Sequence, residues 1–258
     1  MKPISPQKPI WISHRGFCEK AVENTREAFQ SAVDMGFTAL ETDLRITKDR
    51  HIVLAHDPTL SRLAGDRRNI FDLTRQELEM FRLSNGEKIL FLDQFLSAFG
   101  ECSWTFDIKP EKGEQTIRAL GEWAEKNGMK QQIIRQAKFL TWCATHETMV
   151  HRMFPGAHFY ARKPECQRAG LAVFLGMPWL GGIRPGRTYA LPPALGPRPL
   201  FTKSIVDRYH RRNALVIAFL PPTEDQARKA MDAGCDEILT NGKIIQGVPG
   251  FFSVLDRP

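Results

Sequence analysis

Near its start the chain carries a spaced set of polar groups: Ser13-His14-Arg15-Gly16, Glu23-Asn24-Thr25, Glu41-Thr42-Asp43 and His56-Asp57. Glu41 and Asp43 are two residues apart on what reads as a strand end, where alternation turns both side chains to one face. Two carboxylates on one inward face repel each other unless a cation or a proton lies between them. Hard oxygen donors of this kind suit Mg2+ or Ca2+. Asp107 is a third carboxylate, set in the apolar run Phe106-Asp107-Ile108-Lys109, and Lys109 shares its face. His14 and His56 are candidates for proton transfer, because imidazole titrates near neutral pH. Arg15 can grip a phosphate through two parallel hydrogen bonds, and Lys109 can meet one as a point charge. Asp57 is placed to orient His56. The chemistry these types imply together is metal-assisted phosphoryl chemistry.

Three of these groups follow apolar, strand-like runs: Trp11-Ile12 before His14, Phe37 to Leu40 before Glu41, and Ile52 to Ala55 before His56. Ile46 to Arg50 reads as a turn into the third run. Further strands are expected at Trp104–Ile108, Gln132–Ile134, His158–Ala161, Thr188–Leu191, Leu215–Leu220 and Glu237–Thr240. Helices are expected at Asn24–Met35, Glu114–Lys126, Thr141–Arg152, Ser204–Arg212 and Thr223–Ala233, with Thr223 as N-cap. One more, Leu73–Phe81, opens on a Thr74/Glu77 capping box. Gly176 to Pro199 is rich in glycine and proline and reads as loop around Thr188–Leu191. Repeated strand–helix alternation implies a parallel sheet. The length, 258 residues, is near the roughly 250 typical of a (β/α)8 TIM barrel, whose strand C-termini carry the active site. With no repeat and no linker, a single domain over residues 1–258 is expected.

The net charge of +7 and pI of about 9.3 favour anionic partners. The basic residues are dispersed, with tight clusters only at Arg67-Arg68 and around Arg208 to Arg212. That pattern reads as a solvated surface and a small anionic phosphodiester substrate, with no nucleic acid. No apolar stretch approaches the roughly 18 residues of a membrane span. The first nine residues are polar and proline-rich, without a signal-peptide core, so a cytoplasmic location is expected. Five scattered cysteines without a Cys-x-x-Cys pair read as reduced thiols. His51, His146, His151, His158 and His210 read as structural or surface residues.

His14-Arg15-Gly16, Glu23-Asn24-Thr25, Glu41-x-Asp43, Thr47-Lys48-Asp49, His56-Asp57-x-x-Leu60-x-Arg62 and Gly65, in that order, closely resemble the glycerophosphodiester phosphodiesterase family. Phe106 to Lys109 is similar to that family's Glu-Ile-Lys strand. Gly234 to Asn241 is similar to its last strand. The resemblance implies a TIM-barrel metal phosphodiesterase that splits a glycerophosphodiester into glycerol phosphate and an alcohol. It implies that Glu41, Asp43 and Asp107 bind one divalent cation and that His14 and His56 form the acid–base pair. Arg15 and Lys109 would hold phosphate, with Glu23, Asn24 and Asp57 supporting the site.

The chain departs from the family pattern in two places. Asp107 stands where the family has Glu, a ligand shorter by one methylene, as in the related sphingomyelinase D-like phospholipases. Phe219-Leu220-Pro221-Pro222 stands where the family often has Trp-Thr-Val-Asn, so Phe219 keeps a stacking aromatic for the substrate while the polar residues are gone. These departures, with the apolar loop residues Met177, Trp179 and Leu180, define an alternative: a lysophospholipase D-like enzyme in peripheral contact with a membrane. A barrel that binds a phosphorylated ligand without turnover is a third reading.

Overall fold

The structure, a computed structural model, describes residues 8–19 and 21–242, so the start read above, Met1 to Gln7, lies outside it. The described chain divides into two compact units. One runs Ser13–His158. The other joins the residues up to Ile12 with those from Phe159 onward.

The first unit takes the end of β1 (Ile10–His14). The chain then passes over α1 (Arg26–Asp34) so closely that a Cβ on Gly16 would lie 2.6 Å from the backbone of Ala28. Only glycine fits there, and its φ of +88° suits glycine as well. Thr25 caps α1 by accepting from the Ala28 amide, and Ala28, Phe29 and Ala32 form the buried face at helical spacing. β2 (Ala39–Ile46) is buried along its whole length. It is longer than the sequence pattern implied, so Glu41 and Asp43 lie inside it and not at its end. β3 (Ile52–Leu54) returns antiparallel against it, Leu44 opposite Leu54.

A small lobe follows: β4 (Thr59–Leu60), α2 (Ser61–Ala64), β5 (Asp66–Asn69), a 3-10 turn (Ile70–Asp72), α3 (Arg75–Met80) and α4 (Leu92–Ala98). Its core gathers Val53, Leu60, Ile70, Leu78 and Phe91, and the Thr74/Glu77 capping box opens α3 as read. β6 (Ser103–Ile108) pairs in parallel with β2. Its outward-facing Trp104 and Phe106 stack at 6.0 Å, which leaves Thr105 and Asp107 on the opposite face. α5 (Gly113–Lys126), α6 (Lys130–Gln136), β7 (Ala137–Leu140) and α7 (Ala144–Met153) follow, and the unit ends at the first residue of β8 (His158–Phe159). Gln132–Ile134 is therefore helical, and the strand expected there is β7. Two adjacent isoleucines suit either element, and here Ile133 is the buried residue of a short helix. The neighbour order is β1-β2-β6-β7-β8.

The other unit begins with α8 (Lys163–Phe174), a helix the sequence reading passed over, and a 3-10 turn at Pro178–Leu180. β9 (Thr188–Leu191) follows, then a hairpin of β10 (Ala194–Leu195) and β11 (Arg198–Pro199) inside the stretch read as loop. α9 (Lys203–His210), β12 (Leu215–Phe219), α10 (Glu224–Ala233) and β13 (Glu237–Thr240) end it. β9, β12 and β13 pair in parallel, and Tyr189, Val206, Tyr209, Val216 and Ile238 pack at the centre. Trp179 and Leu180 are exposed, on the connection that leads into the N-terminal end of β9.

Candidate functional site

Pairing register builds the centre of the site. β2 and β6 run in parallel with Asp43 opposite Asp107, which sets their backbones about 4.8 Å apart with both side chains on one face. Glu41 joins them from one alternation earlier on β2. Oxygens of the three buried carboxylates come within 4.8 Å of one another.

Cations surround Asp43. The Lys109 ammonium lies 2.6 Å from Asp43 Oδ1 and donates to Asp107 Oδ2 at 2.7 Å. Arg15 Nε lies 2.9 Å from Asp43 Oδ2, and the Asn24 amide donates to the same oxygen at 2.8 Å. Asn24 is itself held by the Thr42 hydroxyl. Arg15 and Asn24 both sit at positive φ, 61° and 59°, and the Asn24 amide bonds the Arg15 carbonyl. That left-handed backbone is sparsely populated by non-glycine residues and is held here by the surrounding pairs.

The three carboxylates respond differently. Burial pushes the Glu41 carboxyl well above its ordinary range, and the charges of Asp43 and Asp107 push the same way. Burial also raises Asp107, against the pull of Lys109. Burial acts upward on Asp43 too, but Lys109 and Arg15 outweigh it and hold that carboxyl low. Glu41 Oε2 is buried with no hydrogen-bond partner among the described residues. An orphaned buried carboxylate oxygen beside two further carboxylates has the donor set of a hard divalent cation.

One histidine lies against this cluster, and the other is tied to it through a chain of ion pairs. His14 Nε2, from the last residue of β1, lies 3.8 Å from Glu41 Oε2. His56 follows the antiparallel β3, so the hairpin and not a barrel strand delivers it. Its Nδ1 bonds Asp57 Oδ1 at 2.9 Å. Arg62 ties Asp57 to Glu23, at 2.7 Å and 2.6 Å. Glu23 thereby links the His56 side to Arg15, which lies 3.5 Å from it. Phe219 ends β12 in the other unit and is exposed.

Three residues here were given no role from sequence. Arg45 continues the alternation of Glu41 and Asp43, a readable signal. It is buried and donates twice to the His56 carbonyl, while its Nη1 pairs with Glu111. Arg62 stood in the motif with no role. Trp142, at the C-terminal end of β7, donates its indole N–H to Asp107 Oδ1 at 2.8 Å. The sequence pattern had put it inside a helix beginning at Thr141, whereas α7 starts at Ala144. Cys18, whose thiol burial lifts to about 11, faces the carbonyls of Arg15 and Gly16 and is no nucleophile at neutral pH.

The chain is similar to a glycerophosphodiester phosphodiesterase of Caldanaerobacter subterraneus, 28% identical over 45% of this chain and 54% of that one. It is also similar to a rat lysophospholipase D, 36% identical over 38% of this chain and 35% of the relative. These matches thus span about half or less of those relatives' length. A solved glycerophosphoryl diester phosphodiesterase domain from Mycobacterium tuberculosis superposes with a TM-score of 0.77 at 16% identity, covering 91% of this chain and 96% of the other. That likeness shows the fold, the expected (β/α)8 barrel. A family model matches residues 14–242, a stretch that holds both histidines, all three carboxylates and both phosphate-binding candidates, and the chain belongs to the glycerophosphoryl diester phosphodiesterase family.

Proposed function

We propose that this chain is a metal-dependent phosphodiesterase that splits a glycerophosphodiester into glycerol phosphate and an alcohol, and that residues 1–258 act as one catalytic domain. The observation that carries the reading is the buried carboxylate trio, whose Glu41 Oε2 has no hydrogen-bond partner among the described residues and lies 3.8 Å from His14 Nε2. Glu41, Asp43 and Asp107 would hold one Mg2+ or Ca2+, which when bound withdraws charge from phosphate oxygens and lowers the pKa of an attacking hydroxyl.

The remaining roles fall to the chain's own groups. Arg15 and Lys109 already spend some donors on carboxylates, yet a guanidinium has five N–H groups and an ammonium three. Each therefore keeps donors for a phosphate oxygen. His56, with Nδ1 held by Asp57, presents Nε2 for proton transfer. His14 and His56 form the pair in which one takes the nucleophile's proton and the other supplies the leaving alkoxide with one. Glu23, Asn24 and Asp57 hold Arg15, Asp43 and His56 in place, and Phe219 would stack on the substrate. No described helix is long and apolar enough to cross a membrane, and a cytoplasmic enzyme acting on small diesters fits the charge and composition.

The test is an assay of glycerophosphocholine and lysophosphatidylcholine with Mg2+, with Ca2+ and with chelator. Cation-dependent release of glycerol phosphate from the first supports the proposal. Cleavage of the lysolipid alone would replace it with the lysophospholipase D reading, and turnover of neither would leave a binding barrel.

A further inference from the structure

Four of the cations that look dispersed in the sequence are gathered by the fold around one cavity. A cavity of about 320 Å3 opens between the β2–β3 turn, the 3-10 turn and the start of α5. Lys48, Arg50, Lys112 and Arg118 line it together with Phe71 and Gln115, all in the unit Ser13–His158. No residue of the metal cluster and neither His14 nor His56 contributes to its wall.

Among the described residues, ion pairs take up two of these four cations, while Asp49 bonds the wall residue Thr47. Arg50 is matched by Glu122 at 2.7 Å and Arg118 by Glu114 at 3.9 Å. Lys48 and Lys112 have no carboxylate in ion-pair reach among the described residues. The Lys112 ammonium lies instead 5.1 Å from the Phe71 ring centre. Lys112 is also the N-cap of the 14-residue α5, in left-handed conformation and with no side-chain acceptor for the first-turn amides. The positive end of that helix thus adds to the two unmatched ammoniums. Like charges around one cavity repel, and a dianion between them removes that cost. A phosphodiester carries one negative charge and leaves a surplus, while a phosphomonoester carries about −1.5 to −2 at pH 7 and matches it.

We propose that this cavity is a second anion site that binds a phosphomonoester group, independently of the metal-cluster chemistry. The group can belong to a soluble phosphomonoester or to the headgroup of a lipid such as phosphatidic acid. Hydrogen exchange on the full chain, read separately at residues 46–50 and 112–118 and at 14–16 and 41–43, tells this site from the catalytic one. The soluble probes are inorganic phosphate and glycerol 3-phosphate at low salt. The lipid probe is sedimentation with phosphatidylcholine vesicles, with and without phosphatidic acid.

Slowed exchange at 46–50 and 112–118 with a soluble probe, with affinity about tenfold weaker or less in Lys48→Ala/Lys112→Ala, supports the site. Both lysines are exposed, so the variant keeps its fold, and circular dichroism checks this. Sedimentation only with phosphatidic acid, lost in the same variant, also supports it and assigns the ligand to a membrane. Protection without sedimentation assigns it to a soluble phosphomonoester. If neither probe acts on these segments, or the double variant responds as the wild type does, the proposal is overturned, whatever the diesterase assay shows.

Discussion

The indole N–H of Trp142 donates to Oδ1 of Asp107 at 2.8 Å, while the Lys109 ammonium holds the other oxygen of the same carboxylate at 2.7 Å. Both oxygens of this carboxylate, a proposed cation ligand, are therefore held by donors from the chain. Groups that orient a metal ligand typically change affinity or activity about 10- to 100-fold when removed. Trp142→Phe keeps the ring and loses the donor, so divalent-cation affinity by calorimetric titration falls within that range. Trp142 is half exposed, so the melting temperature of the metal-free variant stays near wild type. Unchanged cation affinity would show that Lys109 alone suffices.

Glu41 and Asp43 respond oppositely to neutralisation. Glu41 is a buried carboxyl pushed up by burial and by its neighbours' charges, so Glu41→Gln removes repulsion. It stabilises the metal-free protein at neutral pH by on the order of 1 kcal/mol while abolishing cation binding. Asp43 neutralises Lys109 and Arg15, so Asp43→Asn strands buried positive charge and destabilises by about 3–5 kcal/mol. Urea unfolding of both variants in chelator tests the pair, and the same sign for both would refute the assignment.

Removing either histidine lowers diester turnover by about a hundred- to ten-thousandfold, the usual scale of general acid–base catalysis. His14→Ala and His56→Ala then bind substrate without cutting it. Asp57→Asn keeps His56 in place but weakens its support, so its loss is smaller. Turnover and substrate affinity measured separately for each variant check the roles, and a variant that loses affinity while keeping turnover contradicts them.

His210 supplies a pH test of stability away from the cluster. Its ring bonds Asp236 at 2.9 Å, and that hydrogen bond raises its pKa above the ordinary 6.5 despite partial burial. A histidine with a raised folded-state value adds stability that is fully present below 6.5 and lost as pH rises through the raised value. The advantage of wild type over His210→Gln in melting temperature is therefore larger at about pH 5.5 than at about pH 8.5. A pH-independent difference would mean that the contact is not an ion pair.

The sequence and the structure agree where the signal was local. Alternation put Glu41 and Asp43 on one face, the turn at Ile46 to Arg50 led into the returning strand, and Thr74 and Thr223 capped their helices. They differ where short apolar runs suit two structures, at Gln132–Ile134, and where a helix start was placed early, hiding Trp142.

Residue type and spacing within one strand were enough to set Glu41 and Asp43 on one face, because strand alternation is set by neighbouring residues. The register that sets Asp43 beside Asp107 was not available from spacing, since 63 residues of chain lie between them and sheet pairing chooses their partners. The same holds for Lys48 and Lys112, scattered in the chain yet facing one cavity. Side-chain chemistry is written locally, but charge balance and ligand geometry depend on distances that exist only once strands and helices have paired.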